Sequence, residues 1–348
     1  MNFIFWILLV IALCGCTNSV GLIDSVNPVE IDESSTNSTT GQPLDEIVLA
    51  NIPESVQDMT IPFLRSKKHP GSNIVIERLE NERSVYSSFY ASYQSDELTI
   101  YGQLTRPTGL MPERGWPGVV FVHGYIPPRS YQTFSRYGDY VDYLARNGIV
   151  VFKIDLRGHG ESEGEPGGAY FSGDYVSDML NAYESLQTLE YVDASNVGLW
   201  GHSMAGNLVM RAMAVNPEIP KGVIWAGAVY TYTDMREFGI QDSSYQPSQN
   251  PNRGRRNEVQ QLFGSDEVDD FWALVAPTSY VSEIDGLIQI HHSVNDDVVS
   301  IEYARNAKRI FDEAGGDLEL FEYQTGGHNL SSPAFEQAMQ RNVDFFSN

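Results

Sequence analysis

The chain has 348 residues, with 46 acidic and 22 basic side chains and a formal net charge of −24. This length accommodates one large α/β domain with appendages. Because so negative a surface repels phosphate backbones, no nucleic-acid partner is expected, and the acidity is typical of a protein that stays soluble outside the cell or in salty surroundings.

An uninterrupted apolar run occupies residues 3–13. It is shorter than the roughly 20 residues that a membrane-spanning helix needs, and its position is typical of a secretory signal. The run leads into residues 13–16 (LCGC), which resemble the cleavage box of a bacterial lipoprotein, although no Lys or Arg precedes the run. We predict a lipoprotein-type signal peptide over residues 1–16, lipidation of Cys16, and a secreted protein anchored in a membrane on its periplasmic or cell-surface side. The alternative is an ordinary cleaved signal.

Cys14 and Cys16 are the only cysteines, so a chain cleaved before Cys16 has no disulfide and no cysteine for catalysis or metal binding. Lipidation accounts for Cys16. Residues 17–56 are rich in Ser, Thr, Asn and acidic residues and have little periodicity. This composition predicts a disordered polar tether, followed by a globular domain over residues 57–348.

Three segments with strand character open the globular part, at residues 73–79, 87–93 and 98–104. They predict an antiparallel edge of a sheet.

Further along, short apolar runs alternate with segments of helical periodicity. A continuous apolar run such as residues 119–122 is typical of a strand buried on both faces of a parallel sheet. The repeated units predict an α/β fold with a mostly parallel, doubly wound sheet. The predicted strands are 119–122, 149–154, 197–200, 223–225, 287–290 and 318–323, and the predicted helices are 131–147, 174–189, 203–215, 302–314 and 332–346.

One segment interrupts the alternation. Residues 231–283 separate two predicted core strands by more than a crossover needs. Since ligands bind at the carboxyl ends of parallel strands, an insertion there predicts a small cap or lid, whose residues Tyr232, Phe238 and Trp272 are candidates for lining a pocket. A peripheral decoration is the alternative.

The candidate nucleophile is Ser203, within residues 201–206 (GHSMAG). The motif follows a predicted strand and opens a predicted helix, which is the context of a nucleophile elbow. Ala205 stands where the usual G-x-S-x-G pattern has its last glycine, and alanine is still small. The backbone N–H of Met204, directly after the nucleophile, is a candidate oxyanion donor.

A serine hydroxyl needs a base, and the base needs an orienting acid. In the order Ser–acid–His, the base follows the last predicted strand, where His328 lies in a glycine-rich loop. His291 and His292 precede the acidic candidates and are interpreted as structural.

The acid is expected just after the strand that ends at His292. Two carboxylates stand there, Asp296 and Asp297, and position in the chain does not choose between them.

The second oxyanion donor is expected in the loop after the first buried parallel strand, where the N–H of Tyr125 is the candidate and His123 shapes the turn. Residues 155–162 (DLRGHGES) faintly suggest a phosphate loop, but no G-K-[ST] follows, and they are interpreted as a structured turn. No pair of histidines has metal-ligand spacing on a predicted helix, so neither a metal nor a cofactor is expected.

These motifs together resemble the α/β-hydrolase superfamily. Residues 123–125 (HGY), 155–162, 201–204, 290–299 (IHHSVNDDVV) and 327–329 (GHN) are most similar to the prolyl oligopeptidase-like (S9-type) catalytic domain and its dienelactone hydrolase-like relatives. The likeness extends over roughly residues 75–347 and implies the α/β-hydrolase fold.

The family's acid-bearing segment reads I-H-H-G-T-A-D-x-x-V-P, and matching it position by position implies Asp296 as the acid. Ser293 and Ser300 stand where Gly and Pro are usual. The resemblance also implies Ser203 as nucleophile, whereas dienelactone hydrolases proper use a cysteine and dehalogenase-like members an aspartate. It implies peptide specificity only weakly, because the chain has no room for a gating β-propeller.

The leading prediction is a serine hydrolase that cleaves carboxylic esters of small molecules through an acyl-enzyme, with Ser203, Asp296 and His328 as its triad. A serine peptidase acting on short peptides or amides is the first alternative. A catalytically silent binding protein on the same fold is the second.

Overall fold

The computed structural model describes residues 48–240, 253–265 and 267–348. The predicted signal peptide, Cys16 and most of the predicted tether lie outside the described residues. None of the helices in the described ranges is long and apolar enough to cross a membrane.

A nine-stranded sheet organises the domain, in the order β1-β2-β3-β5-β4-β6-β7-β8-β9. The pairs β1–β2, β2–β3 and β3–β5 are antiparallel, and all pairs from β5 to β9 are parallel. This confirms the predicted antiparallel edge and the mostly parallel sheet. The strands are β1 (Val75–Glu82), β2 (Tyr86–Ser95), β3 (Leu98–Pro107), β4 (Trp116–Val122), β5 (Val150–Ile154), β6 (Val192–His202), β7 (Lys221–Trp225), β8 (Leu287–Ser293) and β9 (Leu318–Tyr323).

Helices cover both faces of the sheet. They are α1 (Glu54–Gln57), α2 (Ile61–Ser66), α3 (Gly138–Arg146), α4 (Asp174–Leu186), α5 (Met204–Val215), α6 (Tyr232–Glu237), α7 (Arg253–Phe263), α8 (Val268–Val275), α9 (Glu302–Ala314) and α10 (Ala334–Ser347), with 3-10 turns at Pro128–Ser130, Pro277–Glu283 and Gly327–Asn329.

Alternate residues of β4 show how the two layers form. Val119 and Phe121 pack in one apolar cluster with α3 and α10, whereas Val120 and Val122 pack in the other with α4 and α5. All four side chains are fully buried. Because successive strand residues point to opposite faces, a continuous apolar run is what a sheet covered on both sides requires.

The predicted helix over residues 131–147 is wrong in its first half, since α3 begins only at Gly138. Two carbonyls of the preceding segment accept hydrogen bonds from a side chain on β5. The buried ammonium of Lys153 donates to the carbonyls of Thr133 and Arg136. Tyr137, with φ +60°, then turns the chain into the helix.

The last part of the predicted tether is structured. Helix α1 begins at Glu54, within residues 17–56, and Val56 is fully buried in the larger apolar cluster. The fully buried guanidinium of Arg211, on α5, donates to the carbonyl of Met59 at 2.5 Å. The described part of the folded domain therefore includes residues before 57, because Val56 packs in the core.

Candidate active site

Ser203 lies at the sharp turn between β6 and α5, with φ 55° and ψ −116°. Its backbone N–H donates to the carbonyl of Trp225 at 2.8 Å. A Cβ atom at Gly201 would lie 2.6 Å from the carbonyl oxygen of Ala205, and one at Gly206 would lie 2.7 Å from the Cα of Gly227. The close approaches are thus at Gly201 and Gly206, and the methyl group of Ala205 fits in a fully buried position.

His328 meets Ser203 from the loop after β9. Its Nε2 lies 3.0 Å from the Ser203 Oγ, and its Nδ1 lies 2.8 Å from Oδ2 of Asp296. Three side chains hold the backbone of this loop: Asn295 accepts from the Gly327 N–H at 3.0 Å, His202 bonds the His328 carbonyl at 2.9 Å, and Tyr140 donates to the next carbonyl at 2.9 Å. The imidazole is therefore presented by a loop whose backbone is tied to three neighbouring elements.

The Asp296 carboxylate is fully buried, and both of its oxygens are used. Oδ1 accepts the N–H groups of Val298 at 2.9 Å and Val299 at 3.0 Å. Burial opposes its ionisation, but hydrogen bonds from His292 and His328 outweigh burial and hold the pKa of Asp296 well below its usual range. Asp297 is exposed to solvent. The structure therefore brings Asp296, and not Asp297, to His328.

A cavity of about 370 Å³ opens beside Ser203 and His328. Tyr125 follows β4 and lines the same cavity, and Met204 is the first residue of α5, where a backbone N–H has no carbonyl partner within the helix. In the described ranges, no group of His, Cys, Asp and Glu could hold a metal ion. The other lining residues are Gly124, Ile126, Arg136, Tyr137, Tyr140, His202 and Asn329.

Residues 117–243 match the family model described as "Serine aminopeptidase, S33". Among curated proteins, the chain is 28% identical over 145 residues to "Polyketide transferase claH" from Penicillium crustosum, a match covering 42% of this chain and 45% of that protein. It is 23% identical over 244 residues to a "Probable dipeptidyl-aminopeptidase B" from Penicillium rubens, covering 66% of this chain and 24% of that one. The chain spans less than half the length of these relatives.

Among solved structures, the chain superimposes on the acetyl xylan esterase from Paenibacillus sp. R4 with a TM-score of 0.60 at 17% identity. The match covers 89% of this chain and 96% of that one. The chain has the α/β-hydrolase fold. Within that fold, residues 117–243 match a serine aminopeptidase family, and a dipeptidyl-aminopeptidase is among the proteins it is similar to.

His292 is a residue that sequence reasoning did not assign to the site. Its Nε2 lies 3.2 Å from Oδ2 of Asp296, the oxygen that also contacts His328, and 3.0 Å from the carbonyl of Val299. The side chain is fully buried. The sequence offered one signal for this contact, the four-residue spacing between His292 and Asp296. Because β8 ends at Ser293, the chain can turn back within that spacing.

Two other histidines are packed into the scaffold of the domain. His291 lies between the Tyr323 hydroxyl at 2.9 Å and the Asn342 side-chain amide at 2.8 Å, and burial lowers its pKa to about 3. His123 bonds the carbonyl of Gly124 through Nδ1 at 2.7 Å, and burial likewise lowers its pKa to about 3. The hydrogen bonds of both rings go to groups other than Ser203. This agrees with the interpretation of both histidines as structural residues.

The three predicted cap residues pack away from the cavity. The Tyr232 ring stacks on Trp272 with centroids 4.3 Å apart, and Phe238 contacts the ring of Tyr303. No described residue of 231–283 lines the cavity beside Ser203, and residues 241–252 lie outside the described ranges.

Ser293 and Ser300 depart from the family pattern, and the structure gives Ser293 a use. Its Oγ donates to Oδ1 of Asn295 at 2.6 Å, the oxygen that also accepts the Gly327 N–H. Ser293 thus orients the amide that links the loop of Asp296 to the loop of His328. The Oγ of Ser300 accepts the N–H of Glu302 at 3.3 Å, at the start of α9.

Proposed function

We propose that the protein hydrolyses carboxylic esters through an acyl-enzyme formed on Ser203. The observation that carries the proposal is the unbroken series of contacts from Ser203 Oγ to His328 at 3.0 Å and from His328 to the buried carboxylate of Asp296 at 2.8 Å. His328 accepts the Ser203 proton as Oγ attacks the carbonyl carbon, and then donates it to the departing alcohol. Asp296 orients the ring and stabilises the imidazolium. Water repeats the two steps and releases the acid.

The negative oxygen of the tetrahedral intermediate requires donors on the opposite side of the cavity. We assign this role to the backbone N–H groups of Met204 and Tyr125. Met204 suits this role because it is the first residue of α5, where the helix dipole also favours negative charge. Tyr125 suits this role because it lines the cavity and lies on the loop after β4.

Ester cleavage is favoured over peptide cleavage by how the relatives match. The acetyl xylan esterase is covered along 96% of its chain, so the likeness extends over nearly all of that chain. Only 24% of the dipeptidyl-aminopeptidase is covered, and the rest of that protein has no counterpart in this match. The peptidase alternative is supported by the S33 family model and by this relative.

A panel of acyl esters and aminoacyl amides with a common chromophore decides between the two. We expect kcat/KM for short acyl esters to exceed that for aminoacyl and dipeptidyl amides at least a hundredfold, and Ser203→Ala to abolish turnover of both. Faster release from the amides would overturn the ester assignment in favour of the peptidase. Turnover undiminished in Ser203→Ala would overturn the acyl-enzyme itself.

We also propose that Cys16 carries a lipid that anchors the enzyme to a membrane. The proposal is supported by the apolar run at residues 3–13 and by the LCGC sequence that follows it. Fractionation of cells expressing the full chain tests it. We expect the wild type in the membrane fraction and Cys16→Ser in the soluble fraction, with Cys14→Ser as the matched control. A membrane-bound Cys16→Ser variant would contradict lipidation at Cys16.

A further inference from the structure

We propose that Tyr137 and His202 are positioning residues that link the oxyanion loop to the catalytic base through one chain of hydrogen bonds. The inference rests on the proposed function, because it assigns these two side chains a part in the same site. Neither was assigned to catalysis from the sequence.

The chain of contacts begins at the loop after β4. The Gly124 N–H donates to the Tyr137 hydroxyl oxygen at 2.9 Å, and this hydroxyl lies 2.7 Å from Nδ1 of His202. On its other side, His202 Nε2 lies 2.9 Å from the carbonyl oxygen of His328. The chain therefore runs from the residue before Tyr125, through the residue before Ser203, to the backbone of the base.

The direction of every bond in this chain is determined by its two ends. Gly124 can only donate, so the Tyr137 oxygen accepts and its hydrogen is free to donate to Nδ1 of His202. The His328 carbonyl can only accept, so the His202 proton resides on Nε2. A single neutral tautomer of His202 satisfies all four groups. Burial lowers the pKa of His202 to about 3 and raises the pKa of Tyr137 well above its ordinary value, so both stay neutral across the working pH range.

The packing around the chain leaves it little freedom. A Cβ atom at Gly124 would lie 2.9 Å from the Tyr137 hydroxyl, 3.0 Å from His202 Nδ1 and 3.1 Å from the Ser203 Cβ. Tyr137 has a positive φ, which a non-glycine residue adopts only when its surroundings impose it. The surroundings of Tyr137 include the two hydrogen bonds of its hydroxyl. They also include the bond from Lys153 to the neighbouring Arg136 carbonyl at 3.1 Å.

The functional consequence is a fixed spacing between two groups that act on the same intermediate. The Tyr125 N–H belongs to the residue directly after Gly124. The His328 imidazole is attached to the backbone that His202 holds. Small displacements of either group cost transition-state stabilisation more than substrate binding, since both act on charge that develops during the reaction. Removing the Tyr137 hydroxyl breaks the chain at its centre and leaves the Gly124 N–H and His202 Nδ1 without their partners.

The experiment compares Tyr137→Phe, His202→Gln and the double variant in the full chain, with kcat expressed per site titrated by a fluorophosphonate. Tyr143→Phe, on the same helix α3, is the matched control, because its hydroxyl contacts the exposed Gln340. We expect Tyr137→Phe to lower kcat roughly tenfold or more with KM changed less than threefold. Affinity for a trifluoromethyl ketone should fall in proportion to kcat/KM, and Tyr143→Phe should match the wild type.

Non-additivity is the second readout. If the two residues act as one chain, the double variant loses no more than the larger single loss, whereas independent effects multiply. Multiplying losses, or unchanged kcat per titrated site in Tyr137→Phe, would overturn the inference while Ser203 still labels. Failure of the wild type to label would instead overturn the proposed function. If His202→Gln does not fold, kcat per titrated site and the ketone affinity of Tyr137→Phe decide alone.

Discussion

The Nε2 atom of His292 lies 3.2 Å from Oδ2 of Asp296, the same oxygen that His328 contacts at 2.8 Å. With two backbone N–H groups on Oδ1, the carboxylate is surrounded by four donors. A buried carboxylate satisfied in this way is held in one orientation and kept ionised. His292 therefore contacts the same carboxylate oxygen as His328.

We expect His292→Phe to lower kcat per titrated site roughly 10- to 100-fold, because a hydrogen bond to a charged group contributes about 1.5–3 kcal/mol. His291→Gln is the matched control: it is the neighbouring residue, equally buried, and its ring contacts Tyr323 and Asn342. A control that loses as much kcat per site as His292→Phe would contradict this prediction.

Two adjacent carboxylates, Asp296 and Asp297, allow the assignment of the catalytic acid to be tested. Asp296→Asn should lower kcat about 10⁴-fold, by analogy with other triad aspartates, because the amide favours the wrong imidazole tautomer. Asp297→Asn should leave kcat within about twofold, since Asp297 is exposed. The comparison uses steady-state ester hydrolysis by two variants with the same charge change. The reverse ranking would show that the wrong carboxylate has been assigned.

Asp155 predicts a dependence of stability on pH. Burial raises its pKa from 3.8 to about 6, against hydrogen bonds from Thr133 and Tyr131 that favour the ion. The folded protein thus binds a proton between about pH 4 and pH 6 that the unfolded chain has released, so this contribution to the free energy of unfolding falls as pH rises through that range.

Urea unfolding at pH 4, 5 and 6 measures this effect. The wild type should lose free energy of unfolding relative to Asp155→Asn as pH rises, because the amide does not titrate. Parallel pH dependences of the two proteins would be inconsistent with a raised pKa at Asp155.

Arg136 places a positive charge in the cavity beside Ser203, and it forms no ion pair with any residue in the described ranges. We expect it to favour an ester whose acyl chain carries a carboxylate over the isosteric neutral ester. Arg136→Met should reduce that preference roughly two- to fivefold, the size typical of an exposed ion pair, and high salt should mask the effect. Arg129→Met removes the same charge from an exposed residue outside the cavity lining, and should leave the ratio of kcat/KM values unchanged. Equal effects of the two variants would indicate only a long-range field.

The sheet could be predicted from the sequence because each parallel strand is a short apolar run between turn residues, as at Val119–Val122 in β4. Ser203 was recognisable because its motif joins a strand to a helix. The start of α3 was not, since the residues before it bond to Lys153, which lies in the next strand. Likewise, Val56 is buried within a segment of polar composition, and the carbonyl of nearby Met59 accepts from Arg211, far away in the chain.

Other parts of the site depend on distances that no local pattern encodes. The choice of Asp296 over Asp297 came from resemblance to a family, and the structure supports it by burying one carboxylate and exposing the other. The Tyr137–His202 chain joins elements 65 residues apart, and only the fold brings them within 2.7 Å.

Labelling by a fluorophosphonate, followed by mapping of the modified peptide, tests the central claim most directly. The account predicts rapid, stoichiometric labelling of the wild type at Ser203 and none of Ser203→Ala, with Asp296→Asn labelling far more slowly. A wild-type protein that does not label, or a Ser203→Ala variant that labels as fast as the wild type, would contradict it.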